Sequence, residues 1–266
     1  MPARLPRRAA IVVAAALTML AAGLPGARAS CQLLANADDF PLLRASLATD
    51  EVAIRYIGHA TFEIETPKGV RIATDYNAVH RPARLPRVVT MNGAHRTHFT
   101  PDPEPEIEHV LLGWNPAGGP MTHDLTVEDV RIRNLQTATR TWGGETRLLG
   151  NSIFVFEVAD LCIAHLGHLH HRLTDEDLAR LGTIDIVMAP VDNATTLRLD
   201  SMVAVLSSLK PRIVIPMHSH THGSLESFLA RMAVEGYEVA RSAGPLFVAR
   251  RAELPERARV LVLPGG

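Results

Sequence analysis

The sequence predicts an α/β sandwich, two β-sheets packed face to face with helices on the outside. Two observations carry this reading. From Val52 onward the apolar residues alternate with period two, and beyond about residue 174 the rhythm changes to strands interleaved with helices. Composition agrees: 47% of the 266 residues are hydrophobic but only 5% aromatic, so the core is built from Val, Ile, Leu and Ala in layers.

In chain order, Val52, Ile54 and Tyr56, then Phe62 and Ile64, then Val70 and Ile72 mark three short strands. Gly58-His59 and Thr66-Pro-Lys-Gly69 supply turn chemistry between them, so an antiparallel meander opens the domain. Arg87 to Thr90 reads as a fourth strand. An irregular Pro- and Gly-rich stretch follows to about Gly119, and a loop of that length inside a compact domain is usually functional. Strands return at Val130 to Leu135, Ser152 to Val158 and Leu161 to His165. Thr174-Asp-Glu-Asp177 is a helix start, with Leu181-Gly182 as its stop. Ile184 to Ala189 and Arg212 to Pro216 read as strands buried on both faces. Helices are expected at 199–209 and from near Ser224 through Met232, and Leu246 to Ala249 is expected to close the sheet.

The first thirty residues differ from the rest. Arg4, Arg7 and Arg8 precede an uncharged apolar run from Ala9 to Leu24, and Ala27-Arg28-Ala29 places small residues where a signal peptidase cuts. Residues 1–29 therefore read as a signal peptide, 30–50 as an N-terminal extension and 51–266 as the folded domain. The mature protein is expected in the periplasm or secreted, with no stable membrane insertion once the signal is removed. The pair Arg7-Arg8 leaves open whether export is general or twin-arginine. Arg28 stands where a lipobox wants an aliphatic residue, which argues against lipidation of Cys31. Loss of the signal leaves 23 basic against 28 acidic groups, which disfavours nucleic acid as a partner and points to a small-molecule substrate. An oxidising compartment permits Cys31 and Cys162 to pair, but Cys162 lies in an apolar run and reads as a buried small hydrophobe. Oligomeric state is not legible.

The thirteen histidines are the strongest signal. His59 follows the first strand, and His95 and His98 lie in the loop after Thr90. His168, His170 and His171 follow the strand ending at His165, and His218, His220 and His222 follow the strand ending at Pro216. Strand ends are where α/β proteins place ligands, and neutral imidazole is the commonest zinc ligand. His80, His109 and His123 stand alone and read as solvated or hydrogen-bonded surface residues. In the run His218-Ser-His-Thr-His222, His218 reads as the ligand and the other two as bystanders, while His165 still belongs to its strand and reads as a core histidine. No Gly-x-Ser-x-Gly elbow and no phosphate-binding glycine spacing occurs; the Gly pairs at 118–119 and 143–144 read as turns.

The residues now reached resemble the metallo-β-lactamase superfamily, in its lactonase-like branch. Ile57-Gly-His-Ala-Thr-Phe62 resembles that branch's opening signature and Ile72-Ala-Thr-Asp75 the strand ending in Asp that follows it. His165-Leu-Gly-His-Leu-His-His171 is similar to its H-x-G-D-x-G-H segment, and Pro211 to His218 to its last ligand strand. The resemblance runs in order from about Val52 to Phe228 and implies a four-layer αββα sandwich. It also implies departures. The family's H-x-H-x-D-H loop is represented by Gly93-Ala-His95-Arg-Thr97-His98, so its first His is Gly and its Asp is Thr. The bridging carboxylate is His168, and Thr137-Ala-Thr-Arg140 stands where a hairpin ligand His is expected.

Carried over residue by residue, one metal position keeps only His95, whereas the other keeps His98, His218 and, by substitution, His168. The resemblance thus implies one Zn²⁺, or another divalent metal, on His98, His168 and His218, with His95 or His59 as proton carrier or fourth ligand. Asp75 reads either as the residue that fixes a ligand tautomer or as an ordinary turn Asp. The expected activity is hydrolysis of an ester, lactone or phosphoester by a metal-bound hydroxide. Two other classes stay open: a non-catalytic binding or accessory protein, motivated by the lost acids, and a redox role for an all-histidine site. Arg96, Arg140 and Trp114 read equally as pocket wall or as surface.

Overall fold

The computed structural model describes residues 47–140, 143–219 and 222–265. The signal peptide and most of the extension expected from sequence, together with Cys31, Trp142 and His220, lie outside the described residues. No helix among those described is long and apolar enough to cross a membrane.

The expected meander forms. Strands β1 (Glu51–Gly58), β2 (Thr61–Glu65) and β3 (Arg71–Ala73) pair antiparallel in sequence order, and β4 (Val88–Met91) and β5 (His109–Leu112) then add in parallel. The second sheet begins with β6 (Asp124–Val127), β7 (Val130–Arg140), β8 (Thr146–Val158) and β9 (Leu161–His165), all antiparallel neighbours. It continues through α1 (Asp175–Leu181), β10 (Ile186–Pro190), α2 (Leu199–Leu209), β11 (Ile213–Met217) and α3 (His222–Val234). Thr174 and Asp177 form the reciprocal capping box expected of that helix start, and Gly182 ends the helix at φ 70°, a conformation that favours glycine.

The chain end departs from the sequence reading. Strand β12 (Glu238–Arg241) precedes β13 (Leu246–Arg250), which returns to the first sheet as an antiparallel neighbour of β1 and does not close the second. Closure of the second sheet falls to β14 (Arg259–Val262), inserted in parallel between β11 and β12. The orders are β13-β1-β2-β3-β4-β5 and β12-β14-β11-β10-β9-β8-β7-β6. Strands β5, β6, β12 and β14 escape the sequence reading because each is a short segment at or near a sheet edge and is largely exposed or half-buried, so it lacks the apolar run that marks the equally short β4.

Packing explains the alternation. In β8, Phe154 and Phe156 point inward against Ile54, Phe62, Ile64 and Ile72, whereas Ile153 and Val155 point outward to Leu206, Phe228 and Met232 of the helical layer. Among the described residues all three helices cover the second sheet. The outer face of the first sheet is covered over β3 and β4 by loop residues Tyr76, Phe99, Ile107 and Trp114. Cys162, expected to be a free buried hydrophobe, is buried but disulfide-bonded. Burying its sulfur in the helix-side core does not stop it from joining a second chain segment.

Phe156 sits at the centre of the inter-sheet core with no exposed surface. Phe156→Ala is expected to lower unfolding stability by about 3–5 kcal/mol, read as a shift of the urea midpoint at unchanged slope.

Candidate metal centre

The sandwich brings one edge of each sheet together where β1, β4, β9 and β11 end, and the histidines lie in the loops leaving those ends. The edges are stitched by hydrogen bonds. His218 donates its backbone N–H to the His59 carbonyl at 2.7 Å, and Nε2 of His165 donates to the Ala60 carbonyl at 2.8 Å. His165 also accepts at Nδ1 from the Gly167 N–H at 3.2 Å. Both its nitrogens are therefore spent, and it is the core histidine its strand position suggests.

Five other imidazoles converge. The ligand nitrogens of His59, His95, His98 and His218 all lie within 4.8 Å of one another. The ring of His168 is 5.1 Å from those of His95 and His98 and 5.2 Å from that of His218, centroid to centroid. Nε2 of His98 and Nε2 of His218 face each other at 3.1 Å. His98, His168 and His218 are buried, while His59 and His95 are partly exposed at the mouth. Of the five candidate residues named from the sequence, His59, His95, His98 and His218 thus bring their ligand nitrogens together, and His168 adjoins them ring to ring without belonging to that four-residue group. The bystanders do not join it in the same way. His171 accepts from the Ala138 N–H at 3.2 Å and donates to the Arg172 carbonyl at 2.8 Å. His123 donates to the Leu112 carbonyl at 2.7 Å, and His109 faces Glu108.

Several imidazoles are held from behind, at Nδ1. Asp75 Oδ2 lies 2.5 Å from Nδ1 of His98, and Thr97 Oγ1 lies 2.8 Å from Nδ1 of His95. Thr139 Oγ1 lies 3.1 Å from Nδ1 of His168, whereas Asp192 Oδ2, 3.9 Å from Nδ1 of His218, is beyond hydrogen-bond reach. Of the two readings of Asp75, the tautomer-fixing one describes its geometry: it is fully buried and accepts a second hydrogen bond from Asn92 at 2.8 Å. Asn92 in turn accepts from the Ser152 N–H at 2.7 Å, which ties the centre to the second sheet. Asn151 accepts from the His168 N–H at 2.7 Å and donates to the Leu166 carbonyl at 3.1 Å, fixing that loop. Asn92, Asn151, Thr139 and Asp192 went unnamed in the sequence because nothing in an isolated Asn, Thr or Asp announces a partner in another loop.

Burial sets the charge state. It holds the His98 imidazole well below its ordinary pKa, with His168 and His95 adding repulsion to any proton. Burial likewise lowers His168 to about 4, helped by His95 and opposed by Asp192. Asp75 is pushed up to about 6 by burial, against the pull of His165, the Asn92 hydrogen bond and His95. Near neutral pH His98 and His168 are therefore uncharged imidazoles, the form in which a divalent cation accepts them as donors.

The departures from the family motif have physical counterparts. A Cβ at Gly93 would lie 2.9 Å from Cδ2 of Trp114 and 3.0 Å from the Gly150 carbonyl oxygen, so the space where a first-motif histidine would begin is filled. Trp114 is therefore wall, stacked edge-on against Phe99 at 5.4 Å. Arg96 is exposed, and Arg140 has a buried Nε with no hydrogen-bond partner. His80, read as an isolated surface residue, is partly buried and stacks at 6.1 Å on His59, beneath Gly58.

A family model described as a β-lactamase superfamily domain matches residues 53–218. A UPF0173 protein of Pyrococcus abyssi is 26% identical over 197 residues, 66% of this chain and 88% of that protein. A UPF0173 metal-dependent hydrolase of Nanoarchaeum equitans is 26% identical over 63% of this chain and 84% of its own length. Among solved structures, a Thermotoga maritima protein described as a Zn-dependent hydrolase of the metallo-β-lactamase superfamily superposes with TM-score 0.61 at 24% identity, covering 81% of this chain and 100% of that one. Igni18, described as a metallo hydrolase of Ignicoccus hospitalis, gives 0.55 at 16% identity over 81% and 97%.

Two outcomes follow. Because the folded-state pKa of His98, His168 and His165 is depressed, the unfolded chain takes up protons first as pH falls below the ordinary imidazole value of about 6.5. Metal-free protein is expected to lose stability, on the order of a few kcal/mol, between about pH 6.5 and pH 4, measured by urea unfolding at each pH. The raised Asp75 works in the opposite direction over the range between its ordinary value and about 6, one group against three. Separately, Gly93→His is expected to cost about 1–3 kcal/mol by overpacking against Trp114 and to bring in no second metal equivalent by elemental analysis.

Proposed function

The chain belongs to the β-lactamase superfamily domain family, and from that premise we propose that it is an exported metal-dependent hydrolase with a single divalent cation, Zn²⁺, on His98, His168 and His218. His95 and His59 are the further candidate ligands. The carrying observation is Nε2 of His168, a nitrogen on a residue only 1% exposed that makes no hydrogen bond while its ring packs edge-on, 5.1–5.2 Å between centroids, beside those of His95, His98 and His218. A buried polar atom without a partner is costly unless something completes it, and a cation does so here.

When bound, the cation supplies Lewis acidity and makes water nucleophilic near neutral pH. The chain supplies the rest. Asp75 and Thr139 hold the rings of His98 and His168 against rotation, so the donors stay aimed at one point. His59 and His95, exposed at the mouth, carry a proton between that point and solvent. Loss of the motif's acids leaves three neutral ligands, which favours one ion over two because no carboxylate is left to bridge a pair. The substrate classes that fit are esters, lactones and phosphoesters of small molecules. The names of the UPF0173 and Thermotoga relatives support hydrolysis as the activity. Export rests on the N-terminal charge and hydropathy pattern.

Protein purified from its native compartment is expected to carry about one zinc per chain. His218→Ala should lose both the metal and turnover of an ester, lactone or phosphodiester panel. Retention of a full metal equivalent in that variant removes the ligand assignment. Metal loading without turnover of any panel member, at any of Zn²⁺, Mn²⁺ or Fe²⁺, supports instead the non-catalytic binding protein.

A further inference from the structure

His168 stands where the family motif has an aspartate, and the exchange is not neutral in its directional chemistry. A carboxylate offers lone pairs on two oxygens, whereas a neutral imidazole offers one, on whichever nitrogen lacks the proton. Some neighbour must therefore decide which nitrogen that is.

Thr139 is placed to do so. It is fully buried near the end of β7, with Oγ1 3.1 Å from Nδ1 of His168 and 3.3 Å from the carbonyl oxygen of the same residue. The hydroxyl has one proton for two neighbours. Donated to the carbonyl, it leaves Oγ1 free to accept from an Nδ1–H, and every polar atom of the contact is satisfied. Donated to Nδ1, it strips the carbonyl of that bond and moves the imidazole proton to Nε2, where a buried N–H would find no acceptor. The first arrangement is favoured, since an orphaned buried donor carries its full desolvation penalty. The backbone of His168 is fixed independently by the side chain of Asn151, so the ring has no easy way to turn from Thr139.

We propose that Thr139 is a positioning residue that holds His168 as the Nδ1–H tautomer and so turns an unprotonated Nε2 toward the point shared with His95, His98 and His218. The consequence for metal affinity rests on the reading given under Proposed function; the tautomer does not. Thr139 occupies the hairpin where the resembled motif expects a ligand histidine, so a lost direct ligand has become the support of a substituted one.

The test uses the whole mature protein with ¹⁵N-labelled histidine. In the metal-free wild type at neutral pH, long-range ¹⁵N–¹H correlation is expected to show His168 protonated on Nδ1. Thr139→Val is expected to lose that preference and to bind Zn²⁺ about 10–100-fold more weakly, whereas Thr139→Ser restores both. Wild-type His168 carrying its proton on Nε2 overturns the proposal, and so does a Thr139→Val protein with wild-type tautomer and zinc affinity. If wild type shows the Nδ1–H tautomer yet binds no zinc, the metal reading falls and the role of Thr139 stands. Should the valine variant fail to fold, the wild-type spectrum and the serine variant still decide the matter.

Discussion

Two imidazole nitrogens meeting at 3.1 Å, Nε2 of His98 and Nε2 of His218, set the terms for this end of the molecule. Two neutral imidazoles make this contact as an N–H···N hydrogen bond when one of them carries its proton on Nε2, and a cation would use both lone pairs instead; a net positive charge on the buried His98 ring is opposed by desolvation. The contact persists only because the framework behind it is over-determined. Asp75 fixes one ring from behind, the His59 carbonyl fixes the backbone of the other, and Asn92 binds Asp75 to a strand of the opposite sheet. Without these anchors the two rings lose the geometry that brings their Nε2 atoms together.

The replacements along the motif form one consistent set. Thr97 stands for an acid and hydrogen-bonds Nδ1 of His95; Thr139 stands in the ligand hairpin and hydrogen-bonds Nδ1 of His168. His168 stands for a bridging carboxylate, and Gly93 for a histidine whose room Trp114 has taken. Each change removes a ligand or a negative charge from the motif, and the one that falls beside His98 and His218, at His168, supplies an imidazole in place of the carboxylate. At two of the lost positions, Thr97 and Thr139, the side chain now supports a histidine that remains.

How much of this was legible in the sequence follows from the range of the interactions involved. Period-two alternation in Val52 to Tyr56 or Ile153 to Phe156 is local and repeated, so long strands and the sheet sandwich could be read directly. The histidines were legible because an imidazole at a strand end is an uncommon residue in a telling place. The four-residue strands β5, β6, β12 and β14 were not, and the return of β13 to the first sheet was decided by a partner, β1, almost two hundred residues earlier. Asn92, Asn151 and Thr139 were invisible for the same reason. Their meaning lies wholly in the atom each faces, and that atom belongs to a loop distant in the chain.

Three of the nine non-glycine residues with positive φ among those described lie at the centre. His59, Asp75 and His218 all adopt left-handed φ angles, 54°, 42° and 56°, which non-glycine residues seldom occupy. Three such residues at one edge of the sandwich cost on the order of 1–3 kcal/mol each. Two of them present imidazoles to the cluster and the third orients one. A relaxed backbone at any of these positions would send its side chain along the strand direction, away from the common point. The layered core of Val, Ile, Leu and Phe between the sheets, fully buried over most of its length, supplies the surplus that keeps these turns in place. Substitutions that weaken the core therefore endanger the centre before they unfold the domain, because its strained turns have the least stability to lose.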